Sequence, residues 1–150
     1  MKKLITAALF FALLPGVAIA EIGTDVQTIT ITTGAISASG SYTTGTINIT
    51  ETDGYFSIQG HIGRDGYADT GTMKCEVLLS NDGDDWFEAE GSGDVFAGYT
   101  KTSGPKSDGR FIVQFYPQRG KYMKLKFTET AGAATVAGTF TLAIQKTPSR

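Results

Sequence analysis

Run after run along this chain alternates apolar and polar residues at a period of two, and nothing else in it constrains the fold as tightly. Val26 to Thr32, VQTITIT, sets Ile29 and Ile31 on one side and threonines on the other. Thr46 to Thr50 does the same with Ile47 and Ile49. Tyr55 to Ile62 opposes Phe56, Ile58 and Ile62 to Ser57, Gln59 and His61. Thr72 to Leu79 aligns Met73, Cys75, Val77 and Leu79. Trp86 to Ala89 and Val95 to Tyr99 are shorter segments of the same kind. Arg110 to Tyr116 groups Phe111, Val113 and Phe115, and Lys121 to Thr128 groups Met123, Leu125 and Phe127 opposite Lys124 and Lys126. The last run, ending near Gln145, carries Phe140, Leu142 and Ile144. Successive side chains of a strand point to opposite faces, so each run has one greasy and one wet side. Turn signals separate the runs, among them Asp53-Gly54, Gly63 to Gly71 and Pro117 to Gly120. No segment keeps a helical period. The pattern predicts an all-β protein, an antiparallel β-sandwich of jelly-roll type with about eight strands.

The first residues do not belong to that pattern. MKKLITAALFFALLPGVAIA has a basic start at Lys2 and Lys3, an apolar run from Leu4 to about Val17 broken by Pro15-Gly16, and small residues Ala18 and Ala20 before Glu21. This is the layout of a secretory signal peptide over residues 1–20, with the apolar run short of a membrane span. The expectation is one exported domain, 21–150, in the periplasm or secreted, with no membrane attachment after cleavage. A chain of that length buries about two-thirds of its unfolded surface. The single cysteine, Cys75, shares the apolar face of its run, so it reads as core rather than as a disulfide or reactive thiol.

Charge is uneven. From Glu21 to Thr100 nearly every charge is acidic, with Arg64 and Lys74 the exceptions; from Lys101 onward nearly every charge is basic. Either the molecule is polar end to end, or early and late strands interleave and neutralise one another, and the second is favoured. A net charge of −2 argues against a nucleic-acid partner.

The richest local motif is LLSNDGDDW, residues 78–86. Asp82, Asp84 and Asp85 beside Gly83 could hold calcium, yet a twelve-residue calcium loop opening at Asp82 would need glycine where Phe87 stands and glutamate where Gly93 stands. The alternative, which is favoured, is a polar hairpin tip with Trp86 folded back over the strands. No cofactor is expected. His61 is the only histidine, no serine lies in a nucleophile elbow, and one histidine with one inward cysteine cannot close a zinc site. A hydrolase acting on an extracellular polymer is therefore an unsupported alternative, and His61 reads as a surface residue. Among the aromatics, Phe56, Phe111, Phe115, Phe127 and Phe140 fall on apolar faces. Tyr42, Tyr67 and Tyr99 sit in or beside glycine-rich polar stretches, and Tyr116 and Tyr122 flank a turn. Tyr67, Tyr99 and Trp86 are the ligand-binding candidates, because tyrosine rims can stack a sugar ring and hydrogen bond around it. Asn48-Ile49-Thr50 matches a glycosylation acceptor but falls within a strand pattern.

Two resemblances accompany these motifs. CEVLLSNDGDDW followed by RGKYMKLKFTET is similar to discoidin-type galactose-binding sandwiches: Ser80, Asp82, Gly83 and Trp86 match a strand ending in Ser-x-Asp-Gly-x-x-Trp, and Tyr122 to Leu125 match a later strand with Lys124 for arginine. DGYFSIQGHI, GTMKCEVLLSNDGDDWFEAEG, TSGPKSDGR and KYMKLKFTET resemble small all-β structural proteins of tailed phages and prophages. Both resemblances imply a non-enzymatic sandwich. The functional expectation is a binding or surface-assembly module whose partner is an extracellular polymer or glycan, or copies of itself. A phage-derived structural protein is the alternative. Assembly would use the threonine-rich segment Thr24 to Thr33 as an added strand.

Overall fold

A computed structural model describes residues 25–62, 72–89, 93–97, 110–116, 119–132 and 135–147. The expected leader (1–20), the expected turn at 63–71, and Tyr67 and Tyr99 lie outside the described residues. Among the described residues nine strands form and no helix occurs. They are β1 (Val26–Thr32), β2 (Ser41–Thr43), β3 (Ile47–Asn48), β4 (Thr52–Ile62), β5 (Met73–Ser80), β6 (Phe87–Glu88), β7 (Arg110–Phe115), β8 (Tyr122–Glu129) and β9 (Gly138–Lys146). One sheet runs β1-β9-β4-β7. The other runs β2-β8-β5-β6, with β3 also on β8, and every pairing is antiparallel.

β2 and β3 are one interrupted strand. The amide of Thr44 donates to the Leu125 carbonyl of β8 (3.0 Å) and that of Ile49 to the carbonyl of Lys121, the residue before β8 (2.9 Å). Counted so, eight strand positions are shared equally between two sheets, successive strands changing sheet except at the β5–β6 hairpin, and the order of each sheet is that of a jelly roll. The fold class expected from the alternation is the fold observed.

The apolar faces meet as predicted. Ile58, Ile62, Cys75, Met123, Leu125, Phe127, Leu142 and Ile144 are fully buried. Phe127 of one sheet stacks on Phe140 of the other, with ring centroids 5.0 Å apart. Phe140 lies against Gly60 on β4. A methyl group there would come within 2.6 Å of the ring and 2.8 Å of the Phe140 backbone, so only glycine lets these strands keep their spacing. Burial holds the Cys75 thiol well above its ordinary pKa, which suits a packing role. The early and late halves of the chain do interleave: β8 lies beside β5, and Glu76 sits 2.6 Å from Lys74 and 3.7 Å from Lys126.

Two expectations need correcting. Asp53-Gly54 is not a hairpin turn. It lies inside β4, where the register on β9 shifts between Thr52 and Phe56, and Gly54 (φ 86°) supplies the left-handed residue of that irregularity. The segment from Val95 is not a strand either. Asp94 to Ala97 form a turn, fastened because the Asp94 carboxylate accepts from the amides of Cys75 (2.8 Å) and Phe96 (2.9 Å) while Val95 donates to the Cys75 carbonyl (2.7 Å). That anchoring drives Phe96 into the core, 5.9 Å from Phe127 and 5.4 Å from Phe140 between ring centroids.

Candidate functional site: a tyrosine-rimmed cleft on the outer face of a sheet

The outward residues of the β1-β9-β4-β7 sheet carry almost no charge. Register places Thr28, Ala143, Ser57 and Gln114 in one row across the four strands, and Thr30, Thr141, Gln59 and Ile112 in the next. At one end of this face the side chains become tall. Tyr55 lies within β4, at its irregularity, and Tyr116 follows β7. Their rings meet edge to face, 5.1 Å apart at 89°. Both are more than half exposed, as is Val26 at the start of β1. The three enclose a cleft of about 190 Å³ whose floor holds Ser57, Ala143, Gln114 and Gln145. The Tyr116 hydroxyl reaches Gln114 Oε1 at 3.4 Å.

Small floor residues under tall rims make the depression, and strand pairing makes it rigid. Ser57 is paired on both sides, to Ala143 and to Gln114. The edge-to-face contact holds each ring against the other with a face left open to solvent. The cleft therefore combines apolar ring surface with hydroxyl and amide groups, and its lining has no ionisable group other than the two phenols.

The residues singled out in the sequence fall elsewhere. Trp86 is half-buried, and Lys124 Nζ lies 4.0 Å above its ring, so this ring face already has a cation on it. Tyr42 turns inward against Phe127, 6.3 Å between centroids, and packs on the core.

The loop 81–85 joins β5 to β6 as a hairpin tip. The Asp82 carboxylate serves the loop: its Oδ1 accepts from the Ser80 hydroxyl (2.8 Å) and from the amides of Asp84 (3.0 Å) and Asp85 (3.1 Å). Those bonds, led by that from Asp84, bring the Asp82 pKa down to about 2. Asp84 and Asp85 are exposed. Among the described residues, no group of three or more histidine, cysteine or acidic side chains is arranged to hold a metal ion. His61 is half-buried on β4, on the outer face predicted for it.

Two larger depressions share a wall at Arg119 and Gly120. One, of about 330 Å³, runs from the 81–85 loop to Phe87; the other, of about 480 Å³, lies between Asp53 and Thr147. Both are lined largely by loop residues, and neither sets two aromatic rings on paired strands.

Tyr55 and Tyr116 were not among the sequence candidates. Each ends an alternating run on the polar side, which is the one signal that marked them. Their meeting depends on the β4–β7 pairing. The chain matches no protein-family profile and no curated protein, and neither comparison links it to phage structural proteins or to discoidin-type domains.

Proposed function

We propose that this protein is an exported, non-catalytic binding module that recognises a neutral extracellular glycan through the Tyr55–Tyr116 cleft. The observation that carries the reading is the pairing of two exposed tyrosine rings with a floor of Ser57, Gln114 and Gln145. A pyranose has apolar C–H faces and a rim of hydroxyls. The rings offer stacking surface for the first, and the amides and serine offer donors and acceptors for the second. A uronate or a sulfated sugar would find no cation among the lining residues to offset its desolvation. Placement on paired strands keeps the ordering cost of binding low. The leader-like residues 1–20 and the glycine- and threonine-rich composition fit export to where such polymers occur.

The test is a glycan array followed by titration calorimetry on the best ligand. Tyr55→Ala and Tyr116→Ala should each weaken binding at least about fivefold, on the order of 1–3 kcal/mol for a lost stacking platform. Trp86→Phe should leave it unchanged. Absence of any neutral glycan ligand, or full binding by the double tyrosine variant, would refute the proposal.

A further inference from the structure

The sandwich has four edges, and three of them are poor templates for another strand. β6 is two residues long, β2 and β3 are interrupted, and β7 opens with Arg110. β1 differs. It is seven residues long, pairs with β9 without a register shift, and contains no charge and no proline. Natural sheets normally blunt such an edge with lysine, proline or a bulge. Among the described residues β1 has β9 as its sole strand partner.

The direction of its hydrogen bonds fixes what could join it. Asp25 accepts from Lys146 at 2.8 Å and Thr33 donates to Gly138 at 3.1 Å, so the odd-numbered residues bond to β9. In an antiparallel ladder the intervening residues, Val26, Thr28, Thr30 and Thr32, then aim their N–H and C=O groups at the open edge. We infer that β1 pairs antiparallel with β1 of a second copy, about a two-fold axis at Ile29, to give a dimer with one continuous eight-stranded sheet.

The sequence is self-complementary in that register. Thr28 faces Thr30 of the second copy, and Val26 faces its Thr32, so roughly eight main-chain hydrogen bonds close the seam. The outer side gains two central Thr28–Thr30 pairs, a favourable cross-strand combination, flanked by two Val26–Thr32 pairs. On the inner side Ile29 meets its own counterpart. Ile29 packs on the core but is only partly buried at the edge, and this contact would cover the remainder. No like charges meet within Val26–Thr32. Shifting the partner by one residue would misalign the hydrogen-bonding groups and put inward isoleucines against outward threonines. The two tyrosine clefts then lie on one face, roughly 30 Å apart from strand spacing and rise, so that one polymer chain can engage both.

The dimer does not depend on glycan binding and is tested without glycan, by analytical ultracentrifugation of the full protein over a wide concentration range. A concentration-dependent dimer is expected. Thr30→Pro removes an edge donor and leaves the β9 ladder intact, since proline is tolerated where the N–H faces outward. It should weaken the dimer about thirtyfold, for two lost hydrogen bonds, with the melting temperature of the isolated chain nearly unchanged. Ile29→Cys should oxidise to a disulfide-linked dimer, because non-hydrogen-bonded Cα atoms across the axis lie about 4.5 Å apart. Gln27→Cys, which would face Ile31 of the second copy, should not, and Cys75 is buried out of reach. A monomer at every concentration overturns the inference. So does a dimer indifferent to Thr30→Pro, or Gln27→Cys linking as readily as Ile29→Cys.

Discussion

Glu129 ends β8 with a carboxylate 98% removed from solvent that, among the described residues, has no cationic partner and is held by main-chain amides. Oε2 accepts from Ser39 at 2.8 Å and from Gly132 at 2.9 Å, and Oε1 accepts from Ala131 at 2.6 Å. It thus pins the loop before β2 to the turn after β8. Glu129→Gln keeps the shape but exchanges one acceptor oxygen for an amide that donates. The two amides now meeting that NH₂ group, or the one if the side chain flips, lose their acceptor, and the surviving bonds lose their charge. Hydrogen bonds to a charged group contribute about 1.5–3 kcal/mol each and neutral ones about 1, so the loss should be about 3 kcal/mol.

The same bonds, led by that from Ser39, lower the Glu129 pKa below its ordinary 4.5. Folding then binds fewer protons at this group than unfolding does. Its contribution is fully present above pH 4.5 and is lost as pH falls through the depressed folded value. Urea unfolding of both proteins from neutral to acid pH reads this directly. The gap between wild type and Glu129→Gln should be near 3 kcal/mol at neutral pH and should close as the wild-type carboxylate is protonated. A gap under about 0.5 kcal/mol at neutral pH, or one that stays constant into acid, would refute the reasoning. Asp82, with its pKa near 2, titrates in both proteins and so drops out of the difference.

Two further substitutions probe the core. Phe96→Ala should cost about 3–5 kcal/mol by chemical denaturation, since it empties the space beside the stacked Phe127 and Phe140 rings; a cost under about 1 kcal/mol would mean that Phe96 does not fill the core. Gly60→Ala should cost at least about 2 kcal/mol, because the obstruction includes the Phe140 backbone and cannot be relieved by a rotamer change alone; a variant as stable as wild type would contradict that close approach.

The fold was legible because each long strand buries one face, and a period of two records that burial residue by residue. Ile58, Cys75, Leu125 and Leu142 all fell where alternation put them. Asp53-Gly54 misled because a strand irregularity and a hairpin draw on the same residues for the same left-handed backbone. Phe96 was missed as core because it stands alone in a glycine-rich stretch, and its inward direction comes from the Asp94 bonds to Cys75 and to its own amide. The cleft was hidden for a related reason. Tyr55 and Tyr116 are far apart in sequence, and their contact follows from strand order, which a period of two does not encode. Trp86 drew attention by composition, but its partner Lys124 arrives from another strand.

Amide and aromatic chemical-shift mapping during titration with neutral oligosaccharides is the most direct test of the cleft as a glycan site. The account predicts saturable shifts confined to Val26, Tyr55 to Ser57, Gln114 to Tyr116 and Ala143 to Gln145, with both tyrosine rings perturbed. Shifts centred on the 81–85 loop and Trp86, or none with any neutral sugar, would contradict it.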